Sequence, residues 1–98
     1  VFGKHPLDIA PGAKISGERL CDALRLAIIA EVDAITLYRQ IAEASTDKVI
    51  AEVFREVADE EKEHLGEFMY LLRRCDENLD EMMKQGEEEV KEHLENNS

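Results

Sequence analysis

Tryptophan is absent from this 98-residue chain, and proline occurs only twice. Both prolines, Pro6 and Pro11, lie near the start, so no fixed helix breaker follows them. Positive charge is scarce: 12 Lys and Arg stand against 23 Asp and Glu, a net charge of -11. That balance argues against nucleic acid and anionic membrane as partners. Most of the negative charge reads as a solvated helix face, with some left to draw cations toward a site. No apolar run reaches transmembrane length, and no signal peptide is visible. The chain does not begin with Met, which fits a trimmed or partial sequence. Cysteine is nearly absent too. Cys21 and Cys75 form no CxxC pair, which argues against a rubredoxin-type or zinc centre. Two free thiols in a reducing cytosol are the default. A disulfide is the alternative, above all in a thermophile.

What remains is helix-forming. The chain is 44% apolar and 36% charged, enough for one domain with a modest core. The central stretch is Glu60-Glu61-Lys62-Glu63-His64. Through it runs a seam of alternating four- and three-residue steps: Ile50, Phe54, Val57, Glu61, His64, Phe68, Leu71, Cys75. Glu61 and His64 interrupt its apolar character at i and i+3, so they project side by side. The preceding seam reads Leu20, Leu24, Ala27, Glu31, Ala34, Tyr38, Ile41, with Glu31 as its one charged member. A carboxylate in such a seam is costly unless something neutralises it. Neither seam contains Lys or Arg. Metal ions are the simplest compensation, and carboxylate plus imidazole suits iron. The plain alternative is a partly solvated Glu beside a satisfied core histidine.

In chain order, residues 1–16 read as an extended arm, with Gly3, Pro6, Pro11 and Gly12 and no period. His5 there reads as a surface residue. Ser16 is a candidate cap for a helix from Gly17 or Glu18 to about Ala44. A second apolar stripe through Ile28, Val32 and Ile35 gives this helix more than one neighbour. Ser45-Thr46-Asp47 is a short polar break, which joins antiparallel neighbours. The next helix should run from about Asp47 to Cys75, with Val53, Leu65, Met69 and Leu72 as further apolar surface. Together 17–76 form a hairpin. Residues 77–98 should hold a short, weaker helix from Leu79 to Leu94, with Gly86 as its weak point, and a disordered end at Asn96-Asn97-Ser98.

Folding the two long helices back on each other sets Glu31 opposite Glu61 and His64. It also brings Cys21 near Cys75. A ferritin-like di-iron bundle needs two lone Glu and two Glu-x-x-His, twice what one hairpin offers. Glu89 and His93 are four apart in the weak helix and supply no second half. The simplest completion is a symmetric dimer with the site on its two-fold axis. The expected fold class is therefore all-α: an antiparallel hairpin plus a short C-terminal helix, dimerising into a four-helix bundle.

The stretches Leu26-Ala-Ile-Ile-Ala-Glu-Val-Asp-Ala-Ile-Thr-Leu-Tyr38 and Asp59-Glu-Glu-Lys-Glu-His64 carry a resemblance to a known family. Over roughly Leu20 to Arg74 the chain resembles the encapsulated ferritins, which associate with encapsulin nanocompartments. The resemblance implies a ferroxidase with a di-iron site shared between two subunits. It implies Glu31, Glu61 and His64 as metal ligands and Tyr38 as a tyrosine beside the site. Asp33 and Glu60 match acids on the route by which iron arrives. The family can carry Trp before its Tyr; here Leu37 stands there. The resemblance also implies a ring of dimers, commonly a decamer, inside an encapsulin shell in the cytoplasm. A two-helix protomer encloses no storage cavity, so a mineral would need another container. Three other classes share some of these features: a peroxide-reducing di-iron protein, a di-manganese catalase-like protein, and a non-enzymatic helical cargo or adaptor.

Overall fold

The computed structural model describes residues 9–98. The first eight residues of the expected arm, with His5, lie outside that range. From Ile9 to Gly17 the chain forms no helix or strand and turns at Pro11–Gly12, where Ala13 N–H donates to the Ala10 carbonyl at 3.0 Å. Three helices follow: α1 (Glu18–Ala44), α2 (Lys48–Cys75) and α3 (Leu79–Asn96). No strand occurs among the described residues.

The helix ends have local causes. The α1 cap falls on Gly17, and Ser16 makes no capping bond. Gly17 has φ 57°, a backbone that side-chain-bearing residues rarely adopt, so the chain enters the helix by a route Ser16 could not take. At α2, Asp47 Oδ1 accepts from the amides of Val49 at 2.9 Å and Ile50 at 3.1 Å. The preceding turn is closed by the Ser45 hydroxyl donating to the Asp47 carbonyl. Arg73 and Arg74 sit in the last turn of α2, where cations complement the helix dipole. Helix α3 continues past Leu94, and Gly86 does not end it. At its end the Asn97 side chain donates to the His93 carbonyl and the Ser98 hydroxyl to that of Glu95.

Helices α1 and α2 pack along their whole length, whereas α3 meets α2 at a few positions and does not touch α1. The fully buried residues are Cys21 and Ala42 on α1, and Ala51, Ala58 and Leu72 on α2. They fall on heptad lines: Cys21, Ile28, Ile35, Ala42 on one helix and Ala51, Ala58, Leu65, Leu72 on the other. These lines face each other inside the hairpin. The longer seams read from the sequence border them and open outward, leaving Leu20, Ile50 and Leu71 between 42% and 47% exposed. Val32 and Val53, read as further apolar surface beside the seams, are also about half exposed. One covalent bond fastens the open end. Cys21 and Cys75 are joined as a disulfide with Cα atoms 5.8 Å apart, so the pair of free thiols expected by default is not what forms. The hairpin brings both cysteines to the same level, at the separation such a bond requires. Beside the cross-link, Arg25 Nη2 donates to Asp76 Oδ2 at 3.0 Å.

Candidate metal centre

Glu31, Glu61 and His64 converge on the outward-facing seam. Each offers one ligand atom, and these atoms lie within 4.8 Å of one another. The helices impose this. Glu61 and His64 are one turn apart on α2, and antiparallel pairing brings Glu31 of α1 to their level. His64 Nδ1 stands 3.4 Å from Glu61 Oε2 and 3.9 Å from Glu31 Oε2. The two carboxylates are mostly covered, with side chains 17% and 19% exposed, whereas the imidazole is half exposed. Glu31 Oε2 is buried and accepts no hydrogen bond.

The charges do not balance within the chain. Two carboxylates lie close together at the seam, and even a protonated His64 would neutralise only one. Leaving a buried carboxylate oxygen without a donor costs on the order of several kcal/mol, a large share of a small domain's stability. A divalent cation removes both costs. The donor set of hard oxygens with one imidazole fits iron(II) or manganese(II) and does not favour a soft thiolate metal. Its hydrogen-bond-starved oxygen is the observation that favours a cation over a satisfied core.

The other sequence candidates lie apart from this group. Tyr38 packs its ring on Phe54, with centroids 5.7 Å apart and planes tilted by 52°. Each ring is seven residues from the clustered glutamate of its own helix, so the pair sits two turns, roughly 11 Å, toward the hairpin turn. Asp33 is half buried and Glu60 is exposed, and neither joins the three-residue cluster. The disulfide is the feature the sequence left open.

Two helices folded into a hairpin, with carboxylates and a histidine meeting on an open apolar face, define a ferritin-like half-bundle. Residues 22–96 match the rubrerythrin family. The crystal structure of an encapsulated ferritin domain from Pyrococcus furiosus superposes with a TM-score of 0.82, at 44% identity over 94% of each chain. The chain belongs to the encapsulated ferritins within that ferritin-like family. It is 52% identical over 75 residues to a ferritin-like-encapsulin shell fusion protein of Pyrococcus furiosus, covering 76% of this chain and 22% of the relative. It is 36% identical over 63 residues to the encapsulin nanocompartment cargo protein EncC of Myxococcus xanthus, covering 64% of this chain and 48% of the relative. The chain thus spans less than half the length of either curated relative. No described helix is long and apolar enough to cross a membrane.

Proposed function

We propose that this chain oxidises iron(II) to iron(III) at a centre completed by a second copy of itself, supplying iron for storage inside an encapsulin nanocompartment. The observation that carries the reading is the convergence of Glu31, Glu61 and His64 around a buried, unbonded carboxylate oxygen. In a two-fold dimer the seams face each other, and four carboxylates and two imidazoles meet. Four negative charges balance two divalent ions while the histidines stay neutral. Iron supplies the one-electron chemistry, each iron(II) giving one electron to dioxygen or peroxide. The chain's own residues hold and shield. Glu31 and Glu61 neutralise and orient, and His64 adds a donor without adding charge. Leu20, Leu24, Ile50 and Leu71 supply apolar surface on the same face, which a second copy would cover. Tyr38 packs on Phe54 two turns beyond the ligands and supports the hairpin there, and Asp33 and Glu60 serve as acids that raise local cation concentration.

The shell fusion and the cargo protein among its relatives support an encapsulin shell as partner and the compartment interior, in the cytoplasm, as the location. A ring of such dimers, a decamer, fits the same resemblance. The same donor set admits one second reading, peroxide as the oxidant in place of dioxygen. One experiment tests both. Iron(II) is loaded anaerobically, then oxygen or peroxide is added while absorbance and metal-to-protein ratio are recorded. The expected result is about one iron(II) per chain and fast iron(III) absorbance, both lost in Glu61→Ala. A chain that binds no iron(II), or oxidises it no faster than Glu61→Ala, overturns the proposal.

A further inference from the structure

The hairpin is held unevenly on either side of the metal ligands. Toward the turn, Ala42, Ala51 and Ala58 are buried at 6% exposure or less, and their small side chains let α1 and α2 approach closely. The turn itself is covalent chain. Toward the open end, no residue of 22–30 or 65–71 is fully buried. Leu20, Leu24 and Leu71 instead line an open hollow of about 330 Å³ with Arg74 and Cys75. Burial resumes only at Cys21 and Leu72. The end of this half is fastened by Leu72, the disulfide and the partly exposed Arg25–Asp76 pair. Such a pair alone is a weak clamp. The ligands sit between the two closures, with Glu31 roughly 15 Å along the helix from Cys21. Without a cation, the carboxylates of Glu31 and Glu61 meet at the α1–α2 junction with no ion between them.

We infer that the Cys21–Cys75 disulfide is a positioning cross-link for the metal centre, holding the open half closed so that Glu31 meets Glu61 and His64 before the ion binds. This rests on the metal reading of those three residues. The cross-link touches neither metal nor substrate. It acts by removing the splayed arrangements that the ion would otherwise have to close, which is preorganisation. Its effect falls on affinity for the ion and spares the rate once the site is full.

The test uses the full chain in three forms: oxidised; reduced anaerobically by a phosphine and then desalted; and the Cys21→Ala/Cys75→Ala double variant. Manganese(II) is titrated into each without oxygen, and free manganese(II) is read by electron paramagnetic resonance. The reduced and double-variant forms should bind roughly tenfold more weakly, the low end of what disturbing a ligand's support costs. Reoxidation of the reduced form should restore the affinity. Amide hydrogen exchange should quicken over 22–30 and 65–71 and hold over 42–58. Equal affinity in all three forms, with only the melting temperature lowered, would make the cross-link a plain stabiliser and overturn the inference. Loss of helical circular dichroism in both modified forms would make it a folding staple and overturn the inference equally. If oxidised protein binds no manganese(II), the metal reading fails and the inference falls with it.

Discussion

Glu31 keeps a buried oxygen without a donor, and that atom sets the sign of its own mutation. Glu31→Ala should lose metal occupancy, yet the metal-free variant should melt no lower than wild type, because a buried uncompensated charge has gone. Glu61→Ala and His64→Ala should likewise abolish rapid iron oxidation while circular dichroism shows the helices intact. Asp33 and Glu60 should behave otherwise. Each is within two residues of a ligand but projects from a different face. The field of acids outside the cluster is screened where it passes through solvent, within a Debye length of roughly 8 Å at physiological salt. Asp33→Ala and Glu60→Ala should therefore change the rate of iron uptake and its salt dependence, and leave saturating occupancy untouched. A titration in which they lose central iron while Glu31→Ala retains it would reverse the assignment of the seam.

Helix α2 depends on one capping side chain. Asp47 serves two amides, and Asp47→Ala should cost about 1 kcal/mol. In a domain of this size that lowers the melting temperature by roughly 4–8 °C. A melt unchanged within error would show that tertiary packing alone fixes the start of α2. The same cap explains why the helix boundaries were legible in the sequence: Ser45-Thr46-Asp47 is a polar break with a strong cap, and both prolines lie far upstream. The three side chains that cluster were legible as well, because charge in an apolar seam at helical spacing stands out. The inner and outer faces were harder. Each helix carries two adjacent stripes, and the richer one, with Leu, Phe and Ile, reads as the core. The structure buries the poorer one, because Ala42, Ala51 and Ala58 let two backbones come close. The richer stripe is left for surface beyond the chain. The state of the cysteines was unreadable for another reason: pairing depends on redox compartment, which no residue pattern records.

At the scale of the molecule, the outward seam predicts an association linked to metal. Leu20, Ile50 and Leu71 lie exposed on the face that carries the ligands. A cation neutralising carboxylates from two copies should favour the dimer by mass action. Sedimentation with and without iron(II) should show the dimer growing with metal at fixed protein concentration. A monomer that binds the ion tightly and never associates would rule out the two-fold centre. The cross-link also has a topological consequence. Joining Cys21 to Cys75 makes residues 21–75 a closed covalent ring, from which the segment before Cys21 and the α3 segment hang as two tails. The backbone at Ser45–Asp47 is then no longer the sole connection between the two long helices. A protease that nicked the turn would leave one molecule, its halves separable only after reduction.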